Sequence, residues 1–521
     1  MSAYSAGENE EKEELVDIRN IEAVHKLLRE TVLKVTKWDE VKVQDEDNLF
    51  VQGMDSLQAL QLIRHLRKAL RKPDLAISIL YTNPSIAQWL RSIMAMSQDE
   101  SNTNTVNASN RRHKIETTLQ QYVQLVDKIS SKHEFGEKLS PVNEHVVVLT
   151  GSTGSLGSYI LRTLMQDKSV SHIYCLDRSS SAHSRHLEKN KKNHESKDFP
   201  ASITFLKTDF SKSDLDLDDE TYKRIQHSAT DIIHSAWPVN FNLSLETFKL
   251  QLDGIVHLLS FVSAISHHVS LLFISSISSI LALDSTPIPE TIIDDVSAPL
   301  PMGYAESKFI SERIFDYASK TKLPTVDIKV ARVGQIAGPA YTSGVWNPSE
   351  WMPSLVITSF HMGLLPENLG SNEMKLDWVP IDILSPSLID LSFNQHPQTS
   401  ESGARVFHPL NQRATTWNTL LPIILDTLNS LNPKVPIRST PCTVWLAKLK
   451  DTTRNHVSST AELEGMLEMY PAIKLLEFFE SLPLTRWSNM DVERALGASV
   501  HLKGVSGIEG AWMRKWVGGW I

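Results

Sequence analysis

Six short runs of β-branched and other apolar residues alternate with longer helical stretches in the middle of the chain. The runs are VVVLT (146–150), HIYCL (172–176), ITFLK (203–207), DIIHS (231–235), LLFIS (271–275) and DIKVAR (327–332). Strands separated by helices pair in parallel, because each helix carries the chain back to the starting edge of the sheet. The alternation therefore predicts a doubly wound parallel sheet for residues 142–344.

The regions on either side of this alternation differ in composition. Residues 18–96 have helical periodicity and predict a small all-α domain. The segment SQDESNTNTVNASNRR (97–112) is typical of a linker, and a connecting helix is expected at 115–130, within a linking region 97–141. From residue 345 to residue 521, longer segments punctuated by Trp and Pro predict a mainly helical substrate subdomain. The expected fold is thus multidomain, with the α/β sheet in its centre.

The bulk composition excludes several classes of protein. With 521 residues the chain is too long for one ordinary domain, and 41% hydrophobic residues suffice for a large core. A net charge of -9 without a long basic tract disfavours nucleic acid as a partner. Two cysteines, Cys175 and Cys442, cannot supply a disulfide framework, so a reducing compartment is expected.

Targeting signals are also missing from the expected places. The first residues, MSAYSAGENEEKEELVD, are polar and acidic, and lack the basic start and apolar block of a secretion signal. The most apolar stretch, 269–283, is interrupted by serines and is too short to span a bilayer, which predicts a buried strand and its loop. We therefore expect a cytoplasmic protein without a membrane partner.

The first predicted strand runs directly into a glycine-rich turn and a helix, in VVVLTGSTGSLGSYILRTLM. Glycines at this point permit a tight turn and let backbone N–H groups approach a pyrophosphate at the positive end of the helix. Since a strand precedes the glycines, a helix begins near Leu156 and a second strand ends near Asp177, a Rossmann-type nicotinamide dinucleotide site is predicted. The contacts expected around it come from Gly151, Thr153, Gly154, Leu156, Gly157, Asp209 and Ala236.

The choice between the two nicotinamide cofactors depends on the end of the second strand. Asp177 suits a ribose 2′-hydroxyl, whereas the neighbouring Arg178, together with Arg185, suits a 2′-phosphate. A solvated charged loop is the alternative for both arginines. We predict NADPH.

A tyrosine and a lysine four residues apart, Tyr304 and Lys308 in GYAESK, are expected on one face of a helix. A second such pair, Tyr470 and Lys474, lies outside the alternating region and is interrupted by proline. The first pair follows the FISSISSI strand end and precedes DIKVARVGQIAGP, an order that resembles short-chain dehydrogenases of the extended type. This resemblance implies Ser276 as the third member of the catalytic group. Ser275, Ser278 and Ser279 lie within three residues of Ser276 and could face the same site.

These residue types suit the reduction of a carbonyl group. Lys308 would hydrogen-bond the nicotinamide ribose and lower the pKa of the phenol, so that Tyr304 donates a proton to the oxygen that becomes negative as hydride arrives. Ser276 would supply a second hydrogen bond to that oxygen. Trp237 and Gln335 follow strands on the same side and are expected to line the nicotinamide pocket, with core packing as the alternative for Trp237.

A separate candidate lies in the N-terminal helical region, in DNLFVQGMDSLQALQLIRHLRKAL. A loop containing Gly53 delivers Asp55 and Ser56 to the start of an amphipathic helix. The apolar face of this helix comprises Ala59, Leu60, Leu62, Ile63, Leu66 and Leu70. The alternative is that Asp55 or Ser56 serves only as the N-cap of this helix.

The string DNLFxxGxDSL resembles the thiolation, or carrier, domains of nonribosomal peptide and polyketide synthases, and the resemblance covers residues 18–96. It implies a small four-helix domain with a covalent 4′-phosphopantetheine arm on Ser56, placed there by a phosphopantetheinyl transferase. The arm's thiol would hold an acyl group as a thioester.

From about residue 146 to 382 the chain resembles the terminal thioester reductase domains of fungal nonribosomal-peptide-synthetase-like enzymes, aminoadipate reductases and carboxylic acid reductases, which are extended short-chain dehydrogenases. The matching strings are TGSTGSLGSYIL, IIHSAWPVNFNLSLE, FISSISSI, GYAESKFISER, ARVGQIAGP, GVWNPSEWMPSL and LDWVPID. The resemblance implies NADPH-dependent release of an acyl, aminoacyl or polyketide thioester as an aldehyde, or, after a second hydride, as the alcohol. Asp177 departs from the uncharged residue usual before the arginine.

Family members usually have an adenylation domain ahead of the carrier. The resemblance therefore implies that this chain is a fragment, or that an upstream adenylation domain or synthase on another protein supplies the acyl group. Two other functions fit parts of the sequence: a nucleotide-sugar epimerase or dehydratase, and an inactive carrier scaffold. The carrier region disfavours the first, and the intact pair of Tyr304 and Lys308 disfavours the second.

Overall fold

The computed structural model describes residues 15–72, 75, 77–95, 103–130, 144–192, 200, 202–284, 287–369, 375–394, 403–454, 460–482 and 489–521. The chain divides into two compact units. The first is Met1–Arg111 with Asn240–Phe248 and Met302–Tyr304, and the second is Arg112–Val239, Lys249–Pro301 and Ala305–Ile521. A helix long and apolar enough to cross a membrane does not occur within the described ranges.

The N-terminal part of the first unit is all-helical, as predicted. Its α-helices are α1 (Ile21–Thr36), α2 (Ser56–Ala69), α3 (Ser78–Thr82) and α4 (Ile86–Ala95). The predicted apolar face of α2 is buried throughout, at 7% exposure or less for each of its six residues. Asp55 caps α2, because its side chain accepts from the Gln58 N–H at 2.8 Å and the Gln58 side chain accepts from the Asp55 N–H at 3.0 Å. The expected four-helix arrangement is confirmed.

Helix α5 (Thr103–Asp127) begins inside the segment predicted to be a linker. The polar composition of 97–112 suggested a linker, but residues 103–112 contain neither Gly nor Pro. Once a helix has formed, such a stretch is added to it at low cost. The later part of α5 is anchored in the second unit by Tyr122, whose hydroxyl donates to Asp253 at 2.7 Å.

The remaining strands and helices follow in chain order. The strands are β1 (His145–Thr150), β2 (Val170–Asp177), β3 (Ile203–Lys207), β4 (Asp231–His234), β5 (Ser270–Ser276), β6 (Asp327–Val333), β7 (Ile336–Ala337), β8 (Leu364–Pro366), β9 (Lys375–Leu376), β10 (Val379–Pro380), β11 (Arg405–Phe407), β12 (Thr415–Thr416) and β13 (Arg438–Thr440). The helices are α6 (Ser155–Gln166), α7 (Ala182–Lys192), α8 (Asp219–Ser228), α9 (Lys249–Ser263), α10 (Gly303–Thr321), α11 (Trp351–Met362), α12 (Ile381–Phe393), α13 (Trp417–Ser430), α14 (Cys442–Arg454), α15 (Thr460–Met469), α16 (Leu476–Ser481), α17 (Glu493–Ala498), α18 (Val500–Lys503) and α19 (Gly510–Trp520).

The main sheet has seven parallel strands in the order β11-β6-β5-β4-β1-β2-β3. The strand order reverses at β1, where Thr150 pairs with Leu176 of β2 on one side and with His234 of β4 on the other. In such sheets, ligands bind at the carboxyl ends of the strands beside the reversal. All six predicted strands are present, and the doubly wound sheet is confirmed.

The seventh strand, β11, comes from the segment predicted to be mainly helical. It has only three residues, so its sequence carries no recognisable alternation, and it forms because it pairs in parallel with β6. Helix α12 from the same segment packs against α6, β4 and β5. Residues beyond 345 therefore complete the sheet and cover one of its faces, while α13 to α19 make the rest of this segment mainly helical, as expected.

Candidate functional site

The turn after β1 requires glycine at two positions. Gly151 has a φ of +72°, and a Cβ there would lie 2.9 Å from the backbone of Ala236. A Cβ on Gly157, in the first turn of α6, would overlap the carbonyl oxygen of Gly151. Only glycine lets strand, turn and helix approach this closely.

The start of α6 is built to receive an anion. Gly154 is the N-cap, and no side chain of the described residues caps the helix there. The N–H groups of its first turn therefore point at the predicted pyrophosphate position, at the positive end of the helix. Leu156 is buried beneath this turn, and Thr153 is partly buried within it. The predicted cofactor residues of the glycine turn thus fit a dinucleotide pyrophosphate.

Asp177, at the end of β2, faces the glycine turn and is only 4% exposed. The Ser152 hydroxyl donates to its Oδ2 at 2.6 Å, and the Thr153 N–H and hydroxyl lie 3.4 Å from its Oδ1. His186 Nε2 lies 3.1 Å from the same Ser152 hydroxyl. The carboxylate is therefore already engaged by protein groups, whereas Arg178 and Arg185 are exposed.

Two further predicted cofactor residues follow strands β3 and β4. Asp209, after β3, accepts hydrogen bonds from the Ser211 N–H and hydroxyl at 2.9 and 2.7 Å, and these bonds hold its pKa below the usual range. Ala236, after β4, donates its N–H to the Thr150 hydroxyl at 3.1 Å. Both positions are thus held by local hydrogen bonds.

Lys308 lies in α10, and its side chain is 2% exposed. Its Nζ donates to the carbonyl oxygen of Ile274 at 2.6 Å, and lies over the rings of Trp237 and Phe273 at 4.2 and 4.5 Å. Burial lowers the pKa of Lys308 well below its usual range, and the nearby Glu312 carboxylate acts in the opposite direction. Trp237 therefore packs against the lysine.

Tyr304 lies one helical turn before Lys308, in the first turn of α10, and is 8% exposed. Its ring meets that of Phe241 edge-on at 5.4 Å. Tyr470 and Lys474 differ from this pair, because Lys474 lies in a short 3-10 helix (Pro471–Leu475) that Tyr470 precedes. The second pair therefore does not share the face of an α-helix.

The serines after β5 make different contacts. The Ser276 hydroxyl oxygen accepts from the Ser278 N–H at 3.2 Å and from the Ser278 hydroxyl at 3.0 Å, which leaves its own proton to be donated. Ser275 is buried, and its hydroxyl donates to Glu312 Oε1. The Ser279 hydroxyl lies 2.8 Å from the same carboxylate oxygen. These contacts favour Ser276 over Ser275.

A buried ion pair, which the sequence reasoning missed, supports these serines. Arg332 of β6 donates to Glu312 Oε2 from Nε at 2.9 Å and from Nη2 at 2.7 Å. Its Nη1 lies 3.2 Å from His408 Nε2, and burial lowers the pKa of this histidine to about 3. An arginine near the end of the run DIKVARV was the available signal, because a buried arginine needs a partner.

The side chain of Gln335, between β6 and β7, is held on both sides. Its Oε1 accepts from the Trp351 indole at 2.5 Å, and its Nε2 donates to Glu350 at 3.1 Å. Glu350 also accepts from the Trp346 indole at 2.9 Å, and burial raises its pKa to about 6. The network orients Gln335 but occupies much of its hydrogen-bonding capacity.

Ser56 is the first residue of α2. It follows the turn that contains Gly53, whose φ is +113°, and the capping residue Asp55. The N-cap role is therefore taken by Asp55. In the first unit, the sequence thus directs Ser56 to a helix start, as expected.

Two protein families match the chain. Residues 26–93 match the family described as phosphopantetheine attachment site, and residues 149–388 match the NAD-binding family described as male sterility protein. A carboxylic acid reductase of Neurospora crassa is 29% identical over 93% of this chain and 45% of its own length. An adenylate-forming reductase, Nps10, of Heterobasidion annosum is 30% identical over 87% of this chain and 40% of its own length. The chain thus spans less than half the length of these relatives.

The fold also has a close counterpart among solved structures. A thiolation-reductase di-domain from an archaeal non-ribosomal peptide synthetase matches with a TM-score of 0.60 at 19% identity, over 95% of this chain and 96% of that one. The agreement covers both the helical N-terminal region and the parallel-sheet region. Residues 26–93 therefore belong to the phosphopantetheine attachment family, and residues 149–388 belong to the male sterility family of NAD-binding domains.

Proposed function

We propose that this chain uses NADPH to reduce an acyl thioester carried on a phosphopantetheine arm at Ser56, and releases the acyl group as an aldehyde. One observation carries the proposal. The buried Lys308 of α10 is bonded to Ile274, two residues before the predicted catalytic Ser276, and Tyr304 lies one turn away on the same helix. The family matches at residues 26–93 and 149–388 support a carrier and a reductase on one chain.

The residues that would hold the dinucleotide are those of the glycine turn, with Arg178 and Arg185 at the adenosine end. We propose NADPH because Asp177 is buried and bonded to Ser152, so it presents no exposed carboxylate against a 2′-phosphate. The exposed guanidinium groups of Arg178 and Arg185 would attract that phosphate. When bound, the cofactor supplies a hydride to the thioester carbonyl carbon.

The protein's own task is to manage the proton and the charge on the carbonyl oxygen. Tyr304 would donate its phenolic proton to that oxygen, and the Ser276 hydroxyl would donate a second hydrogen bond. The hemithioacetal formed in this way would break its C–S bond, its hydroxyl proton would pass to the departing thiolate, and the aldehyde and the free thiol of the arm would be released. The Lys308 ammonium would stabilise the phenolate left behind. The rings of Trp237 and Phe273 exclude water from the lysine, which strengthens this electrostatic effect.

The carrier requires partners. A phosphopantetheinyl transferase would attach the arm to Ser56, and an adenylation domain or synthase would supply the acyl group, as the name of the adenylate-forming relative suggests. We also propose a cytoplasmic location, because Cys175 and Cys442 are both free thiols.

The decisive experiment loads the purified chain with acyl-pantetheine from acyl-coenzyme A, using a phosphopantetheinyl transferase, and follows NADPH absorbance. We expect one NADPH to be oxidised for each aldehyde released, and none with the Ser56→Ala variant under the same conditions. A fully loaded, folded chain that oxidises no NADPH with any of a panel of acyl groups would contradict the proposal.

A further inference from the structure

We infer that Glu312 is a positioning residue that sets the Ser276 turn and the Lys308 ammonium in place for carbonyl reduction. The inference rests on the proposed function, and deepens it by assigning a task to a residue outside the predicted catalytic group. Glu312 lies one turn after Lys308 and two turns after Tyr304 on α10. Its side chain is 2% exposed.

Glu312 contacts two of the serines after β5. Glu312 Oε1 accepts from the hydroxyls of Ser275 and Ser279, which stand on either side of Ser276. The Ser279 hydroxyl also lies 2.7 Å from the Ser276 carbonyl oxygen. One carboxylate oxygen thus fixes both ends of the segment in which Ser276 is the predicted hydrogen-bond donor.

Arg332 orients the Glu312 carboxylate. Arg332 occupies the other oxygen, Oε2, with two donors, at 2.9 and 2.7 Å. In the parallel pairing of β5 with β6, Arg332 stands directly beside Ser275. The two donors of the fully buried arginine hold one carboxylate oxygen, and the other oxygen therefore faces the serines.

Glu312 also acts electrostatically on Lys308. Glu312 favours the charged form of Lys308. The lysine also acts on His234 of β4, whose pKa burial lowers to about 3, so this histidine is neutral. The Tyr304 phenol lies one turn away on the same helix. A carboxylate near a buried ammonium favours the charged form of the lysine, which its proposed role requires, and so opposes the effect of burial on the pKa.

A purely structural ion pair is the competing explanation, and α10 offers a matched control. Asp316 lies one turn further on, is 5% exposed, and accepts from Lys320 at 2.8 Å and from the Ala404 N–H at 3.1 Å. Both of these partners lie outside the serine turn at residues 275–279. Loss of its charge therefore tests the effect of removing a buried acid from the same helix.

The test compares Glu312→Gln, the double variant Ser275→Ala/Ser279→Ala, and Asp316→Asn in the full chain. The double serine variant keeps the Glu312–Arg332 pair, so it remains informative if Glu312→Gln fails to fold. With an acyl-pantetheine thioester that the wild-type chain turns over, we expect kcat to fall about 10- to 100-fold in the first two variants. The KM for the thioester and the Kd for NADPH should stay within about twofold, because binding groups are unchanged.

Two results would overturn the inference: folded Glu312 and serine variants with wild-type kcat, or an equal loss of kcat in Asp316→Asn. Hydrogen exchange supplies a readout that does not need activity. The amides of residues 276–280 should exchange faster in the first two variants and not in Asp316→Asn. If the wild-type chain reduces no thioester, the proposed function fails, yet unchanged exchange in this segment would separately refute the positioning of the turn.

Discussion

Lys308 Nζ donates to the carbonyl oxygen of Ile274 at 2.6 Å, and this bond ties α10 to β5 two residues before the strand ends at Ser276. The lysine therefore does more than carry a charge, because it also sets the distance between the helix that bears Tyr304 and the strand that bears Ser276. Its burial against Trp237 and Phe273 makes that position rigid. The predictions below follow from this arrangement and from the glycine turn.

Replacement of Tyr304 by Phe removes the proposed proton donor but retains the ring that packs against Phe241. We expect kcat for thioester reduction to fall about 100- to 10,000-fold, the range for loss of general acid catalysis. NADPH affinity, measured by fluorescence titration, should change little. Tyr470→Phe, in the other tyrosine–lysine pair, is the control and should keep full activity. A Tyr304→Phe variant with wild-type kcat would remove the tyrosine from the mechanism.

Arg178→Ala tests the cofactor preference. Since a hydrogen bond to a charged group contributes about 1.5 to 3 kcal/mol, the Kd for NADPH should rise about 10- to 100-fold. The Kd for NADH should stay unchanged, because NADH has no 2′-phosphate. Lys223→Ala removes an exposed cation from α8 and serves as the control. Equal losses for the two cofactors would argue against a 2′-phosphate contact at Arg178.

Gly157→Ala tests the close approach of α6 to the turn. The added methyl group would overlap the Gly151 carbonyl oxygen, so we expect a loss of about 1 to 3 kcal/mol in the free energy of unfolding, together with weaker NADPH binding. Gly465→Ala is the matched control, because nothing lies within 4 Å of a Cβ at that position in α15. There the change should stabilise the helix by about 0.5 to 1 kcal/mol. Denaturant titration measures both, and a neutral Gly157→Ala would contradict the close packing.

Glu350→Gln tests the effect of a buried acid on stability against pH. Burial raises the pKa of Glu350 in the folded chain to about 6. Between the pKa of this carboxyl in the unfolded chain and pH 6, the folded chain therefore binds more protons than the unfolded chain. The contribution of Glu350 to the free energy of unfolding is present at low pH and is lost as the pH rises through 6. The total loss is about 2 kcal/mol. The glutamine side chain is uncharged at every pH. In denaturant titrations, the free energy of unfolding of the variant relative to wild type should therefore rise by that amount between pH 4.5 and 7. A constant difference between the two would show an unshifted carboxyl.

The parallel sheet was predictable because its strands are recognised from local composition. β1 to β6 are apolar and β-branched, and the glycine turn before α6 has a spacing that few other structures require. The tyrosine–lysine helix was equally clear, since its residues are adjacent in sequence. By contrast, β11 has only three residues and forms because it pairs with the edge of β6. A strand this short has no recognisable pattern in the sequence.

The supporting contacts of the site could not be predicted, because they join residues distant in sequence. Glu312 and Arg332 are 20 positions apart, and only the packing of α10 on the sheet shows that one carboxylate serves both the arginine and two serines. The conflict between Asp177 and Arg178 had the same origin. The sequence shows two charged residues side by side, while the structure shows that Asp177 is buried and accepts a hydrogen bond from Ser152.

The central claim, hydride delivery to a carrier-bound thioester, is tested most directly by isotope transfer. The loaded chain is supplied with NADPH deuterated at the nicotinamide C4 position that is transferred, and the released product is analysed by mass spectrometry. We predict an aldehyde with a single deuterium on the former carbonyl carbon of the thioester, and no product from the Ser56→Ala chain. Release of the free carboxylic acid without deuterium would show hydrolysis instead of reduction and would contradict the account.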